Sequence, residues 1–262
     1  MKRLAAALSL VILCACSGSS DGVAASSSPS GNVTLTVLAG SSLTKSFIEI
    51  GQAFEAAHPG VNVHFVFGPS NDLAQQIDQG TPADVFASAD TESMSDVVQN
   101  GPGVTDRTTF AHNRLAVVVP RDNPADIRSI NDLADPAVRL VVAAQGIPGG
   151  DYARKALAQA GIADRAEANI VFNETSGEAI LQRIVRDEAD AGIVFVTDVS
   201  PEVASKIKMI PIPDNVNVIA TYEIGVVAGS EHADLAGEFV SFVTGPEGQA
   251  VLRSYGYLPS SG

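Results

Sequence analysis

The first part of the folded chain alternates between two kinds of hydrophobic pattern. Residues 33–37 alternate apolar and Thr positions, which is the period of a half-buried strand. The next apolar positions, from Leu43 to Phe54, are spaced four, three and four residues apart, which is the stripe of an amphipathic helix. A second strand is predicted over 61–67, and a second helical stripe begins at Leu73.

The same succession recurs to the end of the chain. Further strands are predicted at 84–88, 115–119, 140–144, 170–172, 191–196, 207–212 and 218–227, with closing helices at 235–243 and 247–254. This order predicts an α/β fold with largely parallel sheets and helices on both faces. Strands run directly into helices near residues 40, 69, 149 and 176. In open α/β sheets ligands bind at the carboxyl ends of strands, so a ligand is expected at these four junctions.

Composition narrows the classes of function. The chain has 262 residues, of which 45% are hydrophobic and 18% charged, so it can bury a full core and is long enough for two compact lobes. It carries 30 acidic and 16 basic residues and a net charge of −14. That charge repels nucleic acids and anionic membrane surfaces, which excludes a nucleic-acid function.

The N-terminus has the pattern of an export signal. Residues 1–15 combine two basic residues with a short apolar run and are predicted to be a lipoprotein signal peptide. The run ends in Leu-Cys-Ala-Cys, which resembles a bacterial lipobox, so cleavage would expose Cys16 for acylation. Cleavage there leaves a charge of −16, because Lys2 and Arg3 are removed. Residues 16–32 are rich in Ser, Gly and Ala and are predicted to be a flexible tether. The protein is therefore expected to be lipid-anchored to the outer face of the cytoplasmic membrane.

The segment Ser42-Leu43-Thr44-Lys45 permits an enzymatic interpretation. It fits the S-x-x-K pattern, in which Ser42 would be a nucleophile and Lys45 would take its proton. The companion S-D-N and K-T-G elements of that enzyme class are missing, and on the predicted helix Lys45 falls off the apolar stripe and points to water. A serine acyl-enzyme remains the alternative of a different class.

An anion-binding interpretation requires only the helix starts and hydroxyl groups that the four junctions contain. A helix start carries unpaired N–H groups and a partial positive charge, and a Ser hydroxyl adds a donor without adding net charge. Several such starts that converge could bind a small dianion without Lys or Arg. Taken singly, Ser42, Ser70 and Thr175 also fit plain helix N-caps.

These stretches together resemble the molybdate-binding proteins of bacterial ABC importers (the ModA family). The matching segments are the strand-turn-helix from Val33 through AGSSLT, GTPADVFASAD at 80–90, IPGGDYA at 147–153, EADAGIVFVTDV at 188–199 and the closing FVSFVTGPEGQAVLRSYGY. The resemblance covers residues 33–257, nearly the whole folded part.

The resemblance implies a type II two-lobed periplasmic-binding-protein fold with the ligand in the cleft between the lobes. Lobe 1 would comprise 33–116 plus 226–262, and lobe 2 would comprise 117–225. It implies an extracytoplasmic receptor that captures molybdate and tungstate and delivers them to a membrane permease, with no enzymatic activity and no cofactor. Nothing in the sequence indicates an oligomer, so a monomer is expected.

The family's ligand contacts fall on named positions of this chain. The resemblance implies hydroxyl and N–H contacts from Ser42 and Ser70, and N–H contacts from Gly149 and from Ser176 or Gly177. Where family members carry a ligand-binding Tyr, this chain has Phe195, so one donor is lost. The candidate substitutes are Ser41, Thr175 and Tyr222, besides Ser176 itself. No direct side-chain coordination of the metal is expected.

Selectivity follows in part from the donors. A site with donors and no carboxylate acceptor disfavours a protonated oxyanion, because a buried unpaired O–H costs about 1 to 3 kcal/mol. This favours molybdate, tungstate and sulfate, unless Asp72 or Asp151 near the cleft accepts a proton. A receptor for sulfate or another tetrahedral oxyanion is therefore the alternative within the same fold.

Overall fold

The computed structural model describes residues 33–260, in which two β-sheets are each flanked by helices. The predicted signal peptide, Cys16 and the tether lie outside these residues. The strands are β1 (Val33–Gly40), β2 (Val61–Gly68), β3 (Val85–Ser88), β4 (Val104–Asn113), β5 (Leu115–Pro120), β6 (Leu140–Ala143), β7 (Ile170–Glu174), β8 (Ala191–Phe195), β9 (Ile207–Pro211), β10 (Ala220–Val227) and β11 (Leu258–Pro259).

The helices cover the two sheets. They are α1 (Thr44–Ala57), α2 (Ser70–Asp78), α3 (Thr91–Gln99), α4 (Pro148–Gln159), α5 (Ala163–Ala168), α6 (Gly177–Val185), α7 (Pro201–Ala204), α8 (Ala233–Thr244) and α9 (Pro246–Ser254), with 3-10 turns at Ser41–Leu43, Ile130–Ala134 and Val196–Asp198. Within the described residues, no helix is both long enough and apolar enough to cross a bilayer.

Both sheets are mixed, which corrects the expectation of mostly parallel sheets. The first sheet has the order β11-β4-β10-β3-β1-β2 and the second has the order β7-β6-β8-β5-β9. Strands β1, β2 and β3 are parallel, as are β6, β7 and β8. The remaining pairs are antiparallel, because β4, β5, β9 and β10 carry the chain between the sheets and back.

The chain crosses between the sheets twice, and both crossings differ from the predicted boundaries. β4 ends at Asn113 and β5 begins at Leu115, so residues 115–116 pair in the second sheet and not in the first. β10 pairs with β3 and β4 from its first residues, so 220–225 belong to the first sheet. The boundary implied by the resemblance falls within β10, but the whole strand pairs in the first sheet.

The two crossing segments are tied together by one amide side chain. Asn217, between β9 and β10, accepts the Leu115 N–H at its Oδ1 over 3.0 Å. Its Nδ2 donates to the Leu115 carbonyl oxygen over 2.9 Å. Because Asn217 is buried, this pair of bonds fixes the second crossing against the first.

The core confirms the helical stripe predicted for α1. Phe47, Ile50 and Phe54 are fully buried against the first sheet. The Phe47 ring lies 5.7 Å from that of Phe110 and 6.3 Å from that of Phe239, so α1, β4 and α8 share one aromatic cluster. This packing holds the start of α1 at the end of β1.

Strand β4 is the longest element that the sequence did not predict. Its Val104–Asn113 segment has exposed polar residues over the first half and lacks a clean alternation. Asp106 has a positive φ of 52°, and the pairing with β10 shifts register twice. These irregularities break the period of two on which strand prediction depends.

Candidate functional site

The four strand-to-helix junctions meet around one cavity of about 200 Å³. Its walls come from the ends of β1, β2, β6 and β7 and from the helical turns that follow them. The cavity is smaller than the roughly 300 to 1,000 Å³ of pockets for drug-sized ligands, which fits a ligand of a few atoms. The predicted residues that line it are Ser41, Ser42, Ser70, Gly149, Thr175, Ser176 and Gly177.

Ser42 lies in the 3-10 turn between β1 and α1 and is held on two sides. Its Oγ is 2.9 Å from the hydroxyl oxygen of Tyr222. The hydroxyl of Tyr257 donates to the Ser42 carbonyl oxygen over 2.8 Å. Both tyrosines are buried, so the position of Ser42 is fixed by packed aromatic rings and not by solvent-exposed groups.

Ser70 is the first residue of α2 and is almost completely buried. Its Oγ accepts the N–H of Ala89 over 3.0 Å, at the end of β3. A hydroxyl that accepts one bond still has its own proton to give, so Ser70 can donate into the cavity. The neighbouring junction approaches closely, since a Cβ on Gly40 would lie only 3.0 Å from Ser70 Oγ.

Gly149 belongs to the first turn of α4, which begins at Pro148. The N–H groups of Gly150 and Asp151 in this turn bond the Ile147 carbonyl oxygen, whereas the Gly149 N–H precedes them at the helix start, and Gly149 lines the cavity. The next residue, Gly150, shows how tightly this turn is placed. A Cβ there would collide with the carbonyl oxygens of Ala143 and Ala144, so α4 starts directly on the carboxyl end of β6.

Ser176 and Gly177 have different roles at the start of α6. Ser176 is the N-cap, and its Oγ accepts the N–H of Ala179 over 3.2 Å. Gly177 leaves room for Asp198, because a Cβ on it would collide with the Asp198 carboxylate. The Gly177 N–H, which precedes the bonded N–H groups of Ala179 and Ile180, and the Ser176 hydroxyl proton are available to a ligand.

The candidate substitute donors fall into two groups. Ser41 and Thr175 line the cavity. Tyr222 lies outside the cavity lining, behind Ser42, with its hydroxyl shared between Ser42 and Asn113. Phe195 lines the cavity as an apolar wall, with its ring 6.0 Å from those of Tyr152 and Tyr222.

Asp198 is a cavity residue that the sequence did not single out. It stands in the quoted EADAGIVFVTDV segment, and its Oδ2 accepts the N–H of Phe195 over 3.0 Å. Burial raises the pKa of its carboxyl to about 7, although Lys45 opposes this shift. Asp72 and Asp151 do not line the cavity, whereas Asp198 and Glu178 do. Asp198 is the less exposed of these two carboxyls, so it bears most on the protonation of a ligand.

The structure gives no support to an activated Ser42. The partner of its hydroxyl is Tyr222, and burial raises the pKa of Tyr222 well above its ordinary value of 10. A tyrosine that keeps its proton cannot act as the base for a nucleophile. Lys45 is exposed as expected, but it also lines the cavity rim, near Asp198 and Glu202.

Comparison with known proteins agrees with this architecture. The sequence profile of the family described as "Bacterial extracellular solute-binding protein" matches residues 35–258. The molybdate-binding protein ModA of Mycobacterium tuberculosis (strain ATCC 25618 / H37Rv) is 35% identical over 254 residues, covering 97% of this chain and 95% of that relative. The chain belongs to the ModA family of extracellular solute-binding proteins. The resemblance found in the sequence motifs is thereby confirmed.

Two solved structures show the same fold. The substrate-binding domain of a putative molybdenum ABC transporter from Clostridium difficile has a TM-score of 0.69 and 25% identity, covering 87% of this chain and 99% of that chain. The sulfate-binding protein SubI of Mycobacterium tuberculosis H37Rv has a TM-score of 0.76 and 18% identity, covering 87% and 88%. The two-lobed architecture of this ModA-family chain is therefore shared by binding proteins that are named for different ligands.

The partly buried Asp198 predicts a pH dependence of stability. The folded chain holds its proton up to about pH 7, whereas the unfolded chain releases it near the ordinary value of 3.8. Stability should therefore fall as pH rises through this window, because the folded state binds more protons there. Asp198→Asn keeps an oxygen for the Phe195 N–H and has no charge to bury.

Thermal unfolding of both proteins from pH 4 to 8 measures this effect. The difference between the Tm of Asp198→Asn and that of the parent should increase steadily from pH 4 to pH 7 and stay constant at higher pH. Parallel curves for the two proteins would show that Asp198 does not titrate in this range.

Proposed function

We propose that the protein is an extracytoplasmic receptor that captures molybdate and tungstate and delivers them to an ABC importer. The observation that carries the proposal is the convergence of hydroxyl and N–H donors from four strand ends on one small cavity between the lobes. The proposed ligand contacts are Ser42, Ser70, Gly149, Ser176 and Gly177, with Ser41 and Thr175 as further donors. The ModA relative at 35% identity supports the choice of molybdate.

The electrostatics of the cavity agree with a small dianion. Hydroxyl and N–H groups stabilise negative charge without any ion pair, and they act strongly where water is excluded. Among the described residues that line the cavity, Lys45 at the rim is the only Lys or Arg. Below about pH 7 Asp198 is neutral, so it does not repel the ligand.

The site functions as a receptor and not as an enzyme. The neighbour of Ser42 is a protonated tyrosine, and no step of bond breaking follows from the geometry. Closure of two lobes around a ligand is a hinge motion, which would present a distinct surface to a permease. We propose that the receptor acts as a monomer and without a cofactor.

Sulfate is the second candidate ligand, because the SubI fold is shared and the donors alone do not measure the size of an oxyanion. Isothermal titration of residues 21–262 with molybdate, sulfate and phosphate at one pH and salt concentration tests the proposal. Saturable one-to-one binding of molybdate with weaker sulfate binding is expected. Tight sulfate binding would change the ligand within the fold, and tight phosphate binding would indicate that Asp198 accepts a ligand proton.

The role of Ser42 predicts a loss of affinity on removal of its hydroxyl. Ser42→Ala should weaken molybdate binding by roughly 5- to 150-fold, because a buried anionic oxygen loses a donor worth about 1 to 3 kcal/mol. Ser241→Ala, an exposed serine outside the cavity, is the matched control and should bind like the parent.

Lys45→Ala separates the receptor from the acyl-enzyme alternative. A rim charge contributes about 0.2 to 1 kcal/mol, so the variant should lose less than about sixfold in affinity, and the loss should shrink at high salt. An esterase or acylation activity of the parent that both Ser42→Ala and Lys45→Ala abolish would contradict the receptor proposal.

We also propose that Cys16 carries the lipid that anchors the receptor to the membrane. The apolar run, the Leu-Cys-Ala-Cys end and the tether that follows support this assignment. Expressed from its full-length gene in a bacterial host, the Cys16→Ser variant should move from the membrane to the soluble extracytoplasmic fraction. Cys14→Ser is the matched control, since residue 14 is removed with the signal. Equal membrane retention of both variants would refute acylation at Cys16.

A further inference from the structure

A chain of buried polar side chains lies behind Ser42 and reaches from one lobe to the other. The Tyr222 hydroxyl oxygen is 2.9 Å from Ser42 Oγ. Asn113 Nδ2 is 3.2 Å from the Tyr222 hydroxyl oxygen and 2.7 Å from Thr197 Oγ1. Asn113 and Tyr222 are both fully buried, so each must satisfy its polar atoms inside the protein.

The direction of these hydrogen bonds follows from one backbone contact. The Arg114 N–H donates to Asn113 Oδ1 over 2.9 Å, which identifies that atom as the amide oxygen. The other side of the amide is therefore the NH2 group, which can only donate. One of its protons goes to Thr197 and the other to Tyr222, so the Tyr222 oxygen is an acceptor in this bond.

The same reasoning fixes the next bond in the chain. Tyr222 has a single proton, which its burial keeps in place at neutral pH. The tyrosine oxygen could accept a second bond, but among the described residues its buried proton has no acceptor other than Ser42 Oγ, so we infer that Tyr222 donates to Ser42. Ser42 then accepts at its oxygen, and its own proton is left for an acceptor in the cavity.

We propose that Asn113 and Tyr222 are positioning residues that force the Ser42 hydroxyl to donate into the cavity. The proposal rests on the proposed function, because the acceptor is the bound oxyanion. A hydroxyl that can only donate favours a ligand oxygen without a proton. The relay therefore contributes to selectivity for fully ionised oxyanions, and Tyr222 acts through Ser42 instead of touching the ligand.

The relay also depends on the arrangement of the two lobes. Asn113 is the last residue of β4, directly before the first crossing, whereas Thr197 belongs to the 3-10 turn after β8 in the second sheet. The bond between them joins the lobes at the back of the cavity. With the lobes in this arrangement, both amide protons of Asn113 are used and the direction of the relay is unambiguous.

A double-mutant cycle of Ser42 and Tyr222 tests the relay. Tyr222→Phe removes the proton that Ser42 accepts, so Ser42 regains its freedom to rotate and affinity for molybdate should fall by roughly 2- to 10-fold. In the Ser42→Ala background the same change should alter affinity by less than about twofold, because the hydroxyl that it orients is absent. Thermal unfolding confirms that each variant is folded at the titration temperature.

Tyr257→Phe is the matched control. It removes another buried tyrosine hydroxyl next to Ser42, but that hydroxyl bonds the Ser42 carbonyl oxygen and does not set the direction of the side-chain proton. Whatever its effect on affinity in the parent, the same fold-change should appear in the Ser42→Ala background.

The outcomes distinguish this proposal from the proposed function. A Tyr222→Phe effect that disappears in the Ser42→Ala background supports the relay. An effect that persists there undiminished, or no effect in the parent, overturns the relay while molybdate binding stands. If the parent binds another oxyanion instead, the same cycle is run with that anion. A parent that binds none of molybdate, tungstate, sulfate and phosphate overturns both proposals.

Discussion

The cavity depends on hydrogen-bond donors that carry no charge. The chain has a net charge of −14, and a carboxyl, Asp198, lines the cavity itself. A dianion can be stable there only if protons point at it from several sides and water is excluded. Ser42, Ser70 and the first turns of α4 and α6 can supply such protons. The directions of these protons, more than the number of polar groups, decide whether the site attracts an anion.

The fold places these donors by ending strands and starting helices at the same edge. Gly150 and Gly177 show how little space is left, since a side chain on either would strike the carbonyl end of β6 or the Asp198 carboxylate. The two crossings between the sheets put the donors of both lobes on opposite walls. Asn217 ties the crossings to each other, and Asn113 ties the first crossing to the cavity wall. The hydrogen bonds at the crossings and those that place the donors around the cavity therefore belong to one network.

The sequence predicted the parts of this arrangement that are local. Periodicity located the stripe of α1, and the Gly, Ser and Pro residues between strands and helices marked the four junctions that line the cavity. The mixed sheets were not predicted, because β4 lacks an alternating pattern and its partner β10 lies more than a hundred residues away. The second crossing, which the resemblance placed within β10, depends likewise on strand pairing, because the partners of β10 assign it to the first sheet.

The burial of individual polar groups could not be predicted from the sequence either. Nothing in the letters around Asp198 reveals that its carboxyl faces Gly177, or that burial raises its pKa to about 7. Tyr222 was one of the candidate substitute donors, but long-range packing places it behind Ser42. The most direct test of the account is anomalous X-ray diffraction from crystals grown with tungstate. We expect one strong peak in the cavity, placed so that the oxygens around the tungsten lie within hydrogen-bonding reach of Ser42, Ser70 and the start of α4. A peak elsewhere, or an empty cavity at saturating tungstate, would contradict it.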